Sequence, residues 1–306
     1  MSKITVVGSF SMDLTVYVED FPLDGETIIG KKMVKNPGGK GANQAVACAR
    51  LGGDVEMIGM LGEDSDGDTI HQLFKSEGLH VDHVLTTKKE PTTIALIEIN
   101  QSAQNRIIVV PAANFCYSVD DLHAIADVIA TTELVVTQLE LQLDVVKELI
   151  RMCDKLHVPI ILNPAPAVML EPEILQKITY LTPNETELSI LTGMPVKTQE
   201  QIEAAVNHLL KQGVKNVIAT LGDKGALVAN SDGIKFVSGY PVKAVDTVAA
   251  GDSFNGALAK AIVDKKSLEE AVRLANAVGA LTVTKVGAIS SLPSIDDVNQ
   301  FLANQK

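Results

Sequence analysis

Short β-branched runs alternate with segments of helical period along most of this chain, and that rhythm limits the folds open to it. Residues 4–8 (ITVVG) read as a first strand, and residues 41–51 follow with small and apolar side chains at helical spacing. Residues 55–61 form a second predicted strand, and 67–77 a second helix that ends before Gly78. Further strands are predicted over 134–138, 158–163, 180–182 and 216–221, with helices at 141–156, 185–191 and 199–212. Repeated strand–helix–strand units specify the α/β class, here a doubly wound, Rossmann-like and mostly parallel sheet with helices on both faces. Such a sheet buries both faces and draws on aliphatic side chains. The composition agrees: 46% of residues are apolar, only 4% are aromatic and there is no Trp.

Two regions break the rhythm. Residues 14–33 alternate in polarity and carry turn signals (FPLDGE), while 92–99 and 105–110 read as a hairpin around 100–104. Together they predict a small β-sheet lid, about 14–36 and 92–110, inserted into a single domain spanning 1–306. A lid would exclude water from a site at the strand ends. Its outer face could also pair with another subunit, since exposed edges need covering. Another hairpin is predicted over 225–238, turning at NSDG (230–233). The last third reads as helices over 251–263, 268–280 and 295–302, the last starting at Ser294 with Asp297 three positions on.

Charge and cysteine content narrow the function classes. There are 26 Lys and Arg against 38 Asp and Glu, a net charge of −12, which argues against a nucleic-acid partner. A single nucleotide is still permitted, because it needs only a local site. The three cysteines, Cys48, Cys116 and Cys153, lie far apart without CxxC spacing and read as ordinary thiols. The chain opens directly on a strand pattern and has no run of 18 apolar residues, so no membrane partner and a cytoplasmic location are expected. The six histidines form no HExxH; His80 and His83, flanking Asp82, read as solvated loop residues.

Four motifs could carry chemistry. In VDTVAAGDSFN (245–255) small residues run straight into a helical pattern, so Gly251 and its neighbours present free amides and the positive end of a helix dipole. That is an anion hole for a transferring phosphoryl group. Asp252 sits in the first turn; alone, it reads as a helix cap before it reads as a base. In GGKGANQ (38–44), Gly39 and its neighbours allow close backbone approach beside Lys40 and Asn43, or make a tight turn that starts a helix. In TPNETE (182–187), Asn184 and Glu187 share a helix face and could hold hydrated Mg²⁺, or simply start that helix. TLGDKG (220–225) ends a strand where doubly wound sheets bind ligands, and could receive ATP or be a hairpin turn. A near-match to a P-loop, GETIIGKK (25–32), has Lys32 in place of the required Ser or Thr and a strand-like middle.

VDTVAAGDSFNGA, GGKGANQA, NPAPA, TPNETE and TLGDKGA, in their order and spacing, resemble the ribokinase branch of the PfkB carbohydrate kinase family over essentially the whole chain. The resemblance implies ATP-dependent phosphorylation of a pentose at O5, with Asp252 taking the proton from the sugar hydroxyl and Gly251 in the anion hole. It implies that Ser11, Asp13, Gly39, Lys40, Asn43 and Glu140 hold the sugar together with Asp252. Asn184, Thr220, Gly222, Lys224, Gly225, Gly251 and Asn276 would contact ATP, and Glu187 would lie near Mg²⁺ through water. A monovalent cation, K⁺, would sit among Asp246, Val248, Thr282, Lys285, Gly287 and Ser291, mostly on backbone carbonyls.

One departure stands out. The branch usually has Asn where this chain has Ser11, and deoxyribokinases have an apolar residue there. Ser11 is smaller than Asn but still polar, so it leaves ribose against 2-deoxyribose open: ribose is the expected substrate, with 2-deoxyribose or another sugar or nucleoside as the alternative. A non-catalytic sensor on the same fold would lack some motif residues, and a dehydrogenase would show GxGxxG after the first strand, where this chain has VGSFSMD.

Overall fold

The computed structural model describes residues 4–102 and 104–305. The ends of the predicted 1–306 domain and residue 103 of the predicted 100–104 turn lie outside the described residues. The strands are β1 Ile4–Val7, β2 Ser11–Tyr17, β3 Lys32–Gly38, β4 Val55–Gly62, β5 His80–Thr87, β6 Ile94–Ile99, β7 Asn105–Val110, β8 Leu134–Thr137, β9 Ile160–Leu162, β10 Tyr180–Leu181, β11 Asn216–Thr220, β12 Gly225–Asn230 and β13 Gly233–Ser238. The helices are α1 Lys40–Arg50, α2 Ser65–Ser76, α3 Val119–Ala124, α4 Ala126–Thr131, α5 Leu143–Leu156, α6 Pro172–Leu175, α7 Glu185–Thr192, α8 Gln199–Lys211, α9 Ala250–Val263, α10 Leu268–Thr282 and α11 Ile295–Ala303.

Nine strands form the main sheet in the order β13-β12-β11-β10-β9-β8-β1-β4-β5. All neighbours are parallel except around β12, which runs antiparallel to both β11 and β13. One face packs an apolar layer against α1, α2, α9 and α10, including Phe74, Val46, Leu258 and Val272. The other packs against α5, α7 and α8, including Val146, Leu188 and Leu209. Both faces are thus buried, which is why the strand segments carry continuous aliphatic runs and little alternation. Helix starts are fixed locally: Asn184, Thr198, Ser267 and Ser294 each close a capping box, an arrangement in which the cap alone contributes about 1 kcal/mol.

The second sheet has four strands in the order β3-β2-β6-β7. β2 pairs antiparallel with β3 and parallel with β6, and β6 and β7 form the expected hairpin. The segment resembling a P-loop runs into strand β3 with no helix after it.

The structure corrects one reading. His80 and His83 are not in a loop but in β5, an edge strand of the main sheet. His80 Nε2 lies 2.7 Å from Asp54 Oδ1, and His83 Nδ1 lies 2.8 Å from Glu56 Oε1. Their polarity reflects an edge strand, and a register irregularity between Glu56 and Ile58 obscures the period. The short helices α3 and α4 were not anticipated either. Among the described residues no helix is long and apolar enough to cross a membrane.

Candidate active site

β1 lies between β4 and β8, so the chain winds away from it in both directions. Beyond the carboxyl ends of such strands a crevice opens, and ligands of this fold class bind there. A cavity of about 640 Å³ occupies this position, between the main sheet and one face of the small sheet. Its polar wall includes Ser11, Asp13, Lys40, Asn43, Glu140 and Asp252. Its apolar roof comes from alternate residues of β6 and β7: Ala95, Ile97, Ile107 and Val109.

Asp252 is the third residue of α9, whose first turn is set by Ala249 in the left-handed region (φ 60°). It does not cap that helix. Its buried carboxylate reaches across to α1, where Asn43 Nδ2 donates to Oδ2 at 2.8 Å and Gln44 Nε2 donates to Oδ1 at 3.0 Å. Burial pushes its pKa upward; the Lys40 charge and the two amide donors oppose that. The result is a carboxylate with raised proton affinity that is still held by donors, which suits a general base. Beside it, the first helical bond of α9 is Ser253 N to Ala249 O at 2.8 Å. The amides of Gly251 and Asp252 precede that bond and have no intrahelical partner. Gly251 is exposed, and a Cβ built on it would meet nothing within 4 Å.

Across the cavity, Lys40 Nζ pairs with Glu140 Oε1 at 3.3 Å, and the Lys40 amide donates to Glu140 Oε2 at 3.2 Å. Burial alone would lower the Lys40 pKa, but Glu140 and Asp252 raise it overall. Ser11 Oγ donates to Asp13 Oδ1 at 2.6 Å. Burial lifts Asp13 to about 6, partly opposed by that bond. Asn43, which lines the cavity, has its Oδ1 buried without a partner. Gly39 sits at φ 95°, and a Cβ there would lie 2.8 Å from Phe10 backbone carbons, so this turn into α1 admits only glycine.

The residues assigned to nucleotide lie apart from this wall, along the ends of β10, β11 and β12. Asn184 Nδ2 and its amide donate to the two Glu187 oxygens at 2.9 Å, and Asn184 bridges to Thr220. Burial raises the Glu187 pKa, and the charges of Lys40 and Asp252 reach it. Gly222, Lys224 and Gly225 form the turn between β11 and β12. Asn276 on α10 donates to the Val237 and Ser238 carbonyls, opposite that turn.

Of the residues assigned to a monovalent cation, Asp246 and Val248 line the cavity. Asp246 accepts from the Val248 amide at 3.0 Å and the Gly287 amide at 2.9 Å, tying the two segments together. Ser291 is buried nearby, Thr282 Oγ1 donates to Ser253 Oγ at 2.8 Å, and the Lys285 ammonium points to Asp297 at 3.8 Å. Among the described residues no three His, Cys, Asp or Glu side chains form a metal-holding group.

Sequence reasoning passed over Gln44, Gln138, Asn163 and Asn255, all buried and all within the hydrogen-bond network around Asp252. The available signal was polarity inside apolar stretches, as in GANQAVACA (41–49).

A buried carboxylate beside unpaired helix amides, in a cavity lined with polar groups, suits phosphoryl transfer to a polyol hydroxyl. The chain belongs to the pfkB family of carbohydrate kinases, whose profile matches residues 1–295. Its relatives include a ribokinase of Haemophilus influenzae, 39% identical over 299 residues and 98% of both chains. A deoxyribokinase of Salmonella typhi is 38% identical over 301 residues, again 98% of both. The structure of Arabidopsis thaliana ribokinase complexed with ribose and ATP superposes with a TM-score of 0.91 at 37% identity, covering 98% of each chain.

Proposed function

We propose that this sugar kinase transfers the γ-phosphoryl group of ATP to O5 of D-ribose, giving ribose 5-phosphate and ADP, with Asp252 as the base. The observation that carries the reading is the buried Asp252 carboxylate, placed between an unpaired helix start and a cavity whose wall carries Ser11, Asp13, Lys40, Asn43 and Glu140. As O5 bonds to the γ-phosphorus, its proton passes to Asp252 and the bond to the β–γ bridging oxygen breaks, releasing ADP. The Gly251 and Asp252 amides face the charge that develops on the transferred group. Ser11, Asp13, Gly39, Lys40, Asn43 and Glu140 hold the sugar; Asn43 Oδ1 gains the donor it lacks. The small sheet acts as a lid that keeps water from competing with O5. ATP lies along Asn184, Thr220, Gly222, Lys224, Gly225 and Asn276, ending at Gly251.

Glu187 fits hydrated Mg²⁺: both of its oxygens already accept from Asn184 but keep further lone pairs for water ligands. Asp246, Ser291 and the backbone of Val248, Thr282, Lys285 and Gly287 supply the oxygen donors a monovalent cation such as K⁺ needs. Bound there, Mg²⁺ would neutralise phosphate charge and K⁺ would add fixed positive charge. The outer face of the small sheet carries exposed Met33, Ile108 and Val110, which supports a homodimer through that sheet.

One observation favours a second reading, 2-deoxyribose as substrate. The Ser11 hydroxyl hydrogen is directed at Asp13, so Ser11 offers the sugar only lone pairs and rejects a missing hydroxyl weakly. A coupled ADP-release assay over ribose, 2-deoxyribose, fructose and nucleosides, with and without K⁺, tests both. Asp252→Asn should bind sugar almost normally and lose at least about 100-fold in kcat. Near-normal turnover of that variant refutes the assignment of the base.

A further inference from the structure

Gln44 is fully buried on the inner side of α1 and has every polar hydrogen engaged. Its Nε2 donates both to Asp252 Oδ1 and to Asn163 Oδ1, each at 3.0 Å. Its Oε1 accepts from Gln138 Nε2 at 2.7 Å. Asn163 Nδ2 in turn donates to the Thr182 carbonyl at 3.4 Å, and Thr182 Oγ1 donates to Asn255 Oδ1 at 2.7 Å. Asn255 Nδ2 closes the circuit on the Gly251 carbonyl at 2.8 Å. Gln138, Asn163 and Thr182 immediately follow β8, β9 and β10, so three adjacent parallel strand ends each contribute one polar side chain.

The direction of these bonds is not arbitrary. An ionised Asp252 only accepts, so Gln44 must turn its NH₂ toward it. The Gln44 oxygen then faces Gln138, which must present its own NH₂. The opposite orientation would set Gln44 Oε1 against the carboxylate. The circuit holds the Asp252 carboxylate at one end and the Gly251 peptide at the other.

We infer that Gln44 is a positioning residue: through the Gln138–Gln44–Asn163 amide network it fixes the rotamer of Asp252 and stabilises its ionised form, in register with the Gly251 peptide. This rests on Asp252 being the base. The charged or titratable groups that also act on Asp252 are Lys40 and Glu140. Asp13 and Glu187 are coupled to it as well. Gln44, like Asn43, is a neutral donor to Asp252, so its removal changes no charge.

The test is Gln44→Met, which keeps the length and loses the donor, assayed with MgATP and ribose across pH. The expected result is a kcat lower by about 10- to 100-fold with the sugar KM within about threefold. The acid limb of the kcat profile should move up by about one pH unit, because a donor to the ionised form has gone. Gln138→Met, which touches Gln44 but not Asp252, should move the limb the same way by less. It also serves if Gln44→Met does not fold. An unmoved acid limb in the folded variants, with kcat intact or with only a lower Tm, overturns the inference. Asp252→Asn is run alongside: if it turns over normally, the base assignment fails; if it is inactive while the glutamine variants behave as the parent, the network alone fails.

Discussion

Replacing Gly251 by alanine should make the protein more stable and nearly inactive. Gly251 is the second residue of α9, its φ lies outside the left-handed region, and a Cβ there meets nothing within 4 Å. Alanine in a helix is favoured over glycine by about 0.5–1 kcal/mol, with no clash here to offset it. For 306 residues, at an unfolding entropy of about 2.1 cal/mol/K per residue, that raises Tm by roughly 1–1.5 °C. On the proposed mechanism, the same open space is where the transferring phosphoryl group approaches the Gly251 and Asp252 amides. A methyl group there holds the charge away from them, and losing one such donor costs about 10²–10³ in kcat. Thermal denaturation and the ADP-release assay, run on one preparation, read both quantities. A kcat within about threefold of the parent refutes the placement of the anion hole. A Tm that falls with activity would mean the loss came from a damaged helix.

Asp13→Asn should behave similarly for an electrostatic reason. The folded pKa of Asp13, about 6, lies above its ordinary value of 3.8, so the folded state binds more protons between these values. The stability linked to its protonation is therefore fully present below about pH 4 and is lost as pH rises through about 6, where the buried group must carry its charge. The variant should gain up to about 2 kcal/mol at pH 7–8, show a flatter stability profile in the window, and have a raised sugar KM; denaturant titrations at pH 4, 6 and 8 check this. Ala249→Gly should stabilise the fold by about 0.5–1 kcal/mol, since alanine is held at φ 60° there. An unchanged or lower denaturation midpoint would show that packing of the Ala249 methyl outweighs the strain.

The main sheet was legible because both of its periods are local. Strand and helix positions come within a few residues, and the departures fall at ends: α2 starts at Ser65 because Asp64 caps it, and β9 shrinks to Ile160–Leu162 because Asn163 turns toward the site. β5 was not legible, because an edge strand bearing His80, Asp82 and His83 carries no buried run. At the site, each motif alone had a structural explanation, and for Asn184 and Glu187 the capping box is indeed present. Asp252 differs: its carboxylate bonds across to α1, which removes the capping explanation. The glutamine network stayed hidden because its bonds join residues 94 to 208 positions apart, and no local pattern reports a partner at that distance.

The four places where the chain passes between the two sheets lie side by side. Ser11 pairs with Gly38, and the turn at Gly39 touches Phe10, so the first excursion leaves and returns at one point. Ile94 pairs with Val110, Thr93 Oγ1 donates to the Pro111 carbonyl, and the Met12 amide donates to Thr93 O at 2.8 Å, so the second excursion is rooted at the same seam. A module sewn on along one short seam can be lengthened or exchanged at its far loops with little burden on the main sheet, because loop-closure entropy grows only slowly with length. Ser11 and Asp13 belong to that module, whereas Asp252 and Gly251 belong to the frame. The proposed sugar residues are thus divided: Ser11 and Asp13 can diverge with the module, while Lys40, Asn43 and Glu140 stay with the frame that carries Asp252, so one side of the acceptor site can be refitted without disturbing the other.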